Sequence, residues 1–323
     1  MLAGTTFRDS VIVIVGRRDT GLDVVTGAFG FTGRAITARL VHASRRVRTL
    51  TGHPNRPNPF STHIEVERYH FDDLARLTGS LEGVTTLYNT YWIRFAYGNA
   101  SFEEAIRNSR KLFVAAKQAS VQRIVHISIT NPDEGSSLPY FRGKDLVERQ
   151  LKKIQVPHSI IRPTVVFGSG DVLVNNIAWL LRRVPIFTIP GFGDYRVRPV
   201  HVEDVARLCV ENAQSSDDLV LNAVGPEILS FAEMVRLIRE AVGSRALLLD
   251  TPVLAIPALT YLLGATLRDV LLTRDELRGL MQNLVTVEGP ATGHISFSEW
   301  VRHHGAEIGK HYASELQRHF RTA

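Results

Sequence analysis

The chain has 323 residues, of which 44% are hydrophobic, so it is long enough for two domains, or for one domain with a large appendage, and it can bury a substantial core. Its single cysteine, Cys209, excludes an internal disulfide framework and a multi-cysteine metal site, which favours a reducing compartment, and we predict a cytoplasmic protein. The net charge of +6 comes from arginines scattered along amphipathic segments rather than from a dense basic tract, so we expect no nucleic-acid partner.

An N-terminal extension, residues 1–21, precedes the first recognisable strand. Its apolar run, Val11–Val15, is too short for a secretory signal, and Arg17 and Arg18 lie on the wrong side of it. The extension is predicted either to add an edge strand or to form a disordered tail.

Three glycines spaced three residues apart follow the apolar strand 24–26 and precede a predicted helix over about 31–44. Glycine allows a turn with positive φ and a close approach of backbone N–H groups to an anion, and the helix start adds its own N–H groups and dipole. The pattern predicts a turn that binds the pyrophosphate of a dinucleotide, although a turn that merely packs helix against sheet has the same spacing. The residues predicted to line it are Gly27, Phe29, Gly30, Phe31, Thr32 and Gly33.

The second predicted strand, 46–51, ends without the acidic residue that accepts hydrogen bonds from the ribose of NAD. Arg56, together with His53, would instead bind a 2′-phosphate, so the sequence predicts NADP(H) in preference to NAD(H). The alternative is that Arg56 is a solvated loop residue.

Polar residues end the next strands, at the edge where ligands bind in open α/β sheets. The fourth predicted strand, 84–90, ends in Asn89 and Thr90, which should lie over the dinucleotide. The fifth predicted strand, 123–128, ends in Ser128.

Tyr140 and Lys144 stand four residues apart at the start of a predicted helix, so both lie on one helix face. The chain has eight tyrosines and six lysines, and chance would give only about 0.15 pairs with this spacing. An exposed, solvated pair is the alternative, but the scarcity of lysine makes coincidence a poor explanation.

The serine, tyrosine and lysine behind the three glycines resemble the extended and atypical branches of the short-chain dehydrogenase/reductase superfamily, which include NAD-dependent epimerases and dehydratases. The resemblance continues through 159–168, with its Arg162-Pro163 pair, and through 200–206, and it covers about residues 22–245. Within the superfamily the chain is similar to the NmrA-like proteins and to the accessory NADPH-binding subunit of respiratory complex I. Some of these relatives bind NADP(H) without a known turnover.

The resemblance implies an α/β fold with a doubly wound, parallel Rossmann sheet and helices on both faces. An NAD(P)-binding domain is expected over residues 22–167. A smaller C-terminal substrate or partner domain would follow over residues 168–323, with segment 196–224 returning to the Rossmann sheet.

The same resemblance implies roles for the site residues. Tyr140 would exchange a proton with the substrate oxygen, Ser128 would hydrogen-bond that oxygen, and Lys144 would hold the nicotinamide ribose and favour the tyrosinate. Because a free tyrosine has a pKa of about 10, work near neutral pH requires a pKa lowered to about 7, and Lys144 is the expected cation. Asp72 or Asp73 is the expected contact of the adenine amino group, and Pro163 completes the predicted cofactor residues.

Two functions remain open from the sequence. The first is an NAD(P)-dependent oxidoreductase acting on a small-molecule carbonyl or alcohol substrate, with a sugar-nucleotide epimerase or dehydratase as a variant. The second is a non-catalytic NADP(H)-binding scaffold or redox-responsive regulator. In either case we expect a monomer or homodimer without a metal site.

Residues 251–323 carry no motif of the superfamily. The apolar run Thr251–Leu267 is interrupted by prolines and a glycine, and it is shorter than the roughly 20 residues that a transmembrane helix needs. We therefore expect no transmembrane segment and consider 251–323 a candidate region for docking on a protein partner or a membrane surface.

Overall fold

The computed structural model describes residues 21–319 except 134, 257, 259–263, 265, 266 and 271. The apolar run of the N-terminal extension lies outside the described residues. The strands are β1 (Leu22–Thr26), β2 (Arg46–Thr51), β3 (Ile64–Arg68), β4 (Val84–Asn89), β5 (Arg123–Ile127), β6 (His158–Pro163), β7 (Val166–Phe167), β8 (Ile186–Pro190), β9 (Arg196–Val197), β10 (Val200–His201), β11 (Leu219–Ala223), β12 (Leu229–Ser230) and β13 (Leu247–Thr251). The helices with described bounds are α1 (Phe31–His42), α2 (Leu74–Gly79), α3 (Phe102–Gln118), α4 (Pro139–Ile154), α5 (Leu173–Leu181), α6 (Val202–Asn212), α7 (Phe231–Ala241), α8 (Arg274–Met281), α9 (Phe297–His304) and α10 (Glu315–His319).

Seven strands form one parallel sheet in the order β11-β6-β5-β4-β1-β2-β3. The inner strands β1 and β5 are buried along their whole length, because helices cover both faces and the sequence supplies near-continuous apolar runs there. The strand order reverses at β1, between β4 and β2, and such a switch point opens a crevice at the carboxyl edge. The predicted doubly wound α/β fold is confirmed.

The two faces of the sheet carry separate apolar cores. On one face, Ile36 and Leu40 of α1 pack with Val205 of α6. On the other face, Phe113 of α3 packs with Leu151 of α4. These clusters hold α1 and α4, which carry the predicted phosphate and proton-transfer residues, in fixed positions relative to the strand ends.

A third apolar core lies outside the sheet and joins α5, α7 and α9. At its centre the ring of Phe167 meets Phe297 at a centroid distance of 5.1 Å and Trp300 at 5.5 Å. Phe167 belongs to β7, because segment 158–167 is divided into two strands, β6 and β7. The division occurs at Thr164, whose amide donates to the carbonyl of Ala223 (3.2 Å). Among the described residues, no helix has both the length and the apolar character needed to span a membrane.

Candidate functional site

The turn between β1 and α1 is open at the start of the helix. Gly27 has φ of +68° and therefore needs glycine, whereas Gly30, the N-cap of α1, has φ of −78°. No side chain caps α1 at Gly30, and its first turn contains no acidic residue. A Cβ on Gly30 would lie 3.2 Å from the Gly27 carbonyl oxygen, and one on Gly33 would lie 2.3 Å from it. The turn is thus a backbone-lined cradle suited to an anion.

The side chains of the predicted phosphate turn flank this cradle. Phe29, Phe31 and Thr32 are half-buried, and Gly33 is buried beneath them against the turn backbone. The structure therefore brings all the predicted turn residues to one place at the switch point of the sheet.

Thr26, which the sequence analysis did not single out, joins β1 to the end of β4. Its hydroxyl accepts from the amides of Thr90 (2.7 Å) and Tyr91 (3.0 Å) and donates to Asn89 Oδ1 (3.2 Å). The Asn89 amide also lies 3.0 Å from Nδ1 of His126 on β5. Asn89 is fully buried in these bonds, so the predicted contact with a dinucleotide would require them to break. Thr90 lies closer to the turn, with its hydroxyl 3.6 Å from a Cβ placed on Gly27.

The predicted 2′-phosphate residues lie in the loop after β2. Arg56 donates hydrogen bonds to the main-chain carbonyls of Gln317 (3.1 Å) and Arg318. His53 is half-buried, and its amide donates to the hydroxyl of Thr51 (3.1 Å). The arginine is therefore not a solvated loop residue, because the C-terminal residues already engage it.

The end of β3 carries an aromatic cluster that the sequence analysis missed. The rings of Tyr69 and Phe71 stack at 4.7 Å, and Phe71 meets Tyr91, from the loop after β4, at 5.0 Å. Asp72, the predicted adenine contact, is exposed beside this cluster, while Asp73 caps α2 by accepting from the Arg76 amide (3.0 Å). Together these residues form an aromatic wall with a carboxylate at its rim.

The structure brings Lys144 to the end of β5. Its Nζ donates to the carbonyl of Ile127 (2.8 Å), the residue directly before Ser128. Burial lowers the pKa of Lys144 to about 7, and the carboxylate of Glu148 opposes that shift. The hydroxyl of Ser128 is buried and has no hydrogen-bond partner among the described residues. Such a hydroxyl is costly unless a ligand completes its hydrogen bonding.

Trp92 contacts both predicted helix residues. Nζ of Lys144 lies 4.8 Å from the centroid of the indole, and the ring of Tyr140 meets the indole edge-on at 6.0 Å. A Cβ on Gly143 would lie 2.9 Å from the indole, so glycine at this position lets the tryptophan lie against α4. The tryptophan joins the tyrosine and the lysine into one cluster.

The pKa of Tyr140 moves in the direction opposite to the one expected. Burial raises it above the usual value, Glu276 and Glu315 raise it further, and Arg94 opposes them. The expectation of a tyrosinate near neutral pH is therefore wrong for the chain without cofactor. The physical reason is that the tyrosine faces aromatic rings and carboxylates, while burial disfavours its charged form.

These carboxylates come from C-terminal segments. Arg94, in the loop after β4, forms an ion pair with Glu276 of α8, and its Nη1 lies 3.9 Å from Glu315 of α10. Buried Asp269 accepts from the Tyr312 hydroxyl (2.9 Å) and from the amide of Glu315 (3.0 Å). Burial raises the pKa of Glu315. The charged network thus lies near enough to Tyr140 for its carboxylates to raise the pKa of the tyrosine.

The Arg162-Pro163 pair has a structural role. Arg162 donates through Nε (2.9 Å) and Nη2 (2.5 Å) to the two carboxylate oxygens of Glu148, which ties β6 to α4. Pro163 is buried at the carboxyl end of β6, and its carbonyl accepts from the Thr130 amide (3.0 Å). Both residues fix the position of α4 relative to the strand ends.

Comparison with known proteins agrees with this geometry. Residues 24–223 match the model of the NAD dependent epimerase/dehydratase family. The chain belongs to this family. The family predicted from the motifs is confirmed.

Relatives of this epimerase/dehydratase-family chain include mitochondrial proteins. It is 34% identical over 126 residues to the NADH dehydrogenase (ubiquinone) 1 alpha subcomplex subunit 9 of Mus musculus, which covers 38% of the chain and 32% of the relative. It is 24% identical over 277 residues to the NADH-ubiquinone oxidoreductase 40 kDa subunit of Neurospora crassa. This match covers 81% of the chain and 72% of the fungal subunit. The matched part thus spans about a third of the mouse subunit.

Solved structures of low sequence identity share the fold. A nucleoside-diphosphate-sugar epimerase from Staphylococcus aureus superposes with a TM-score of 0.65 at 15% identity, covering 91% of this chain and 99% of the epimerase. MoeE5 in complex with UDP-glucose and NAD superposes with a TM-score of 0.61 at 24% identity, covering 72% of this chain and 85% of MoeE5. These similarities establish the architecture.

Because Lys144 is buried, the stability of this epimerase/dehydratase-family protein should depend on pH in a distinct way. Below pH 7 the amine is protonated in both the folded and the unfolded chain, and above that pH the unfolded chain binds more protons. The free energy of unfolding of the wild type minus that of Lys144→Met should therefore rise by up to about 1.4 kcal/mol per pH unit between roughly pH 7 and 10. Urea unfolding of both proteins across this range measures the difference. Parallel stability curves would show that the amine is not held in a low-dielectric site.

Proposed function

We propose that the chain is an NAD(P)-dependent oxidoreductase that acts on a carbonyl or alcohol group of a small molecule. A sugar-nucleotide epimerase or dehydratase is the variant of this proposal that the structural neighbours support. The observation that carries it is the unpartnered, buried hydroxyl of Ser128, next to the carbonyl that holds Lys144. A hydroxyl in that position is explained by a ligand oxygen that completes its hydrogen bonding.

The residues present fit a dinucleotide. The glycine turn offers backbone N–H groups and a helix start without a competing cap or carboxylate, and a side chain on Gly30 would enter the cradle. In this proposal the turn holds the pyrophosphate, the wall of Tyr69 and Phe71 lies beside the adenine, and Lys144 binds the nicotinamide ribose. NADP(H) is the preferred cofactor in the proposal, because Arg56 follows β2 where an acidic residue would select NAD(H).

The electrostatics of Tyr140 favour one direction of reaction. When bound, the reduced cofactor supplies a hydride to the substrate carbon. A tyrosine whose pKa is raised holds its proton, so Tyr140 acts as a general acid that protonates the developing alkoxide oxygen. Ser128 donates to the same oxygen and orients it, and the cation of Lys144 stabilises the tyrosinate that remains. Reduction of a carbonyl is therefore the direction that the proposal favours near neutral pH.

A second candidate function is a non-catalytic NADP(H)-binding scaffold. The observation that favours it is the enclosure of Tyr140 by Trp92 and by the network of Arg94, Glu276 and Glu315. The names of two relatives place them in mitochondrial NADH dehydrogenase. Under this reading the chain uses the dinucleotide to stabilise its fold and docks on a protein partner.

Substitution of Gly30 tests the cofactor assignment. Gly30→Val should abolish NADPH and NADH binding, because the branched side chain would fill the phosphate cradle, while its negative φ lets the fold tolerate a side chain. Gly79→Val is the matched control, because a Cβ there meets nothing within 4 Å. Isothermal titration calorimetry on both variants, with circular dichroism to verify folding, gives the result. If the Gly30→Val protein folds and binds either dinucleotide normally, the turn only packs helix against sheet and the cofactor assignment is wrong.

Tyr140→Phe separates the two candidate functions. It removes the acidic hydroxyl but keeps the ring against Trp92, so NADPH affinity should stay within about twofold while turnover falls by roughly 10²–10⁴-fold. Tyr195→Phe is the control, because that buried hydroxyl also lacks a described partner but lies in the third core. NADPH oxidation is measured with ketones, aldehydes and quinones as substrates. Undiminished turnover in Tyr140→Phe would contradict the general acid, and NADPH binding without turnover of any substrate would favour the scaffold.

A further inference from the structure

The last described residues of the chain lie against two loops at the carboxyl edge of the sheet and against the loop after β7. Glu315 lies near Arg94, in the loop after β4. The carbonyls of Gln317 and Arg318 accept from Arg56, in the loop after β2. Nη1 of Arg318 donates to the carbonyl of Gly170, in the loop after β7 (2.7 Å). We call residues 312–318 the C-terminal strap.

The strand order shows where the strap runs. β4 and β2 are the two hydrogen-bonded neighbours of β1, and the glycine turn directly follows β1. Adjacent strands lie about 4.8 Å apart. The strap meets side chains from the loops after β4 and β2 within four residues, so it lies near the carboxyl end of β1. The strap therefore lies beside the crevice in which the dinucleotide is proposed to bind, against the loop that carries Arg56.

Several bonds hold the strap in this position. Asp269 accepts from the Tyr312 hydroxyl and from the amides of Glu315 (3.0 Å) and Leu316 (3.1 Å), which satisfies the start of α10. The Tyr312 ring meets Trp179 of α5 at 5.3 Å. With these anchors in place, the carbonyls that end α10 point at the guanidinium of Arg56, where a cation is favoured by the helix dipole.

The strap and a 2′-phosphate need the same donors. A guanidinium binds a phosphate through a fork of N–H groups, and Arg56 already directs two such groups at strap carbonyls. The carbonyl oxygens would also repel a phosphate placed beside them. NAD(H), whose ribose carries a free 2′-hydroxyl, does not need the guanidinium of Arg56. Its hydroxyl can donate a hydrogen bond to a strap carbonyl instead.

We propose that the C-terminal strap competes with the 2′-phosphate of NADP(H) for Arg56 and so determines how strongly the chain prefers NADP(H) over NAD(H). The inference rests on the proposed dinucleotide function. NADP(H) binds with release of the strap from Arg56, whereas NAD(H) leaves that contact intact. Because the strap-released state is only a fraction of the free protein, weakening the strap raises the apparent affinity for NADPH.

Two strap anchors outside the cofactor residues provide the test. Arg318→Ala removes the bond to Gly170, and Asp269→Asn removes the charge at the start of α10. Each should tighten NADPH binding by about three- to tenfold and change NADH binding by less than about twofold. Arg302→Ala, an exposed arginine on α9, is the matched control and should change neither affinity. Calorimetric titration of each protein with each dinucleotide gives these numbers.

Hydrogen exchange of the wild-type chain supplies the direct readout. Saturating NADPH should increase amide exchange in residues 312–318 by at least about tenfold, and saturating NADH should not. NADPH binding that leaves exchange in the strap unchanged or slower, or equal effects of the anchor variants on both dinucleotides, would overturn the competition while the proposed function stands. A wild-type chain and anchor variants that bind neither dinucleotide would overturn the proposed function and the strap proposal together. If the anchor variants bind NADPH and the wild-type chain does not, the result would support the proposed competition between the strap and the 2′-phosphate.

Discussion

The carbonyl of Gly27 lies so close to α1 that a Cβ on Gly33 would come within 2.3 Å of it. This contact fixes the helix start directly over the end of β1, at the switch point of the sheet. The Gly27 amide donates to the Leu50 carbonyl (2.8 Å), which joins the same turn to β2, and Thr26 joins it to β4. The loops that carry Arg56, Thr90 and Trp92 are therefore positioned by one short stretch of backbone.

The chemistry of the site depends on a balance between burial and charge. Lys144 is buried and Tyr140 is half-buried. Desolvation drives each toward its neutral form, so the pKa of the lysine falls to about 7 and that of the tyrosine rises. In the chain without cofactor the pair is therefore not a preformed tyrosinate and ammonium. It is a proton donor beside an amine that can become charged, which agrees with the proposed reduction of a carbonyl.

The fold could be predicted closely from the sequence because its signals are local. Strand β2 begins and ends at the predicted residues, and β4 and α1 begin as expected and end within two residues of their predicted ends. Buried apolar runs, turn glycines and capping residues can each be recognised within a stretch of a few residues. For the site, the resemblance implied that Lys144 and Ser128 act together, and Nζ of Lys144 lies at the carbonyl of Ile127, directly before Ser128.

The contacts that modify the site could not be predicted in this way. Arg94 and Glu276 are 182 residues apart, and Arg56 and Arg318 are 262 residues apart, so no local pattern reveals either pair. Trp92 was missed because an aromatic residue after a strand usually indicates core packing. The direction of the shift in the pKa of Tyr140 was predicted wrongly because the shift comes first from burial and then from Glu276 and Glu315, which no local pattern in the sequence reveals.

The measurement that tests the account most directly is a crystal structure of the full chain grown with saturating NADPH. We expect electron density for the pyrophosphate at the backbone of Gly27 and Gly30, the nicotinamide end beside Ser128 and Lys144, and the 2′-phosphate on Arg56 in place of the strap carbonyls. Density for NADPH at another surface, with the glycine turn empty and the serine hydroxyl still without a partner, would contradict the account.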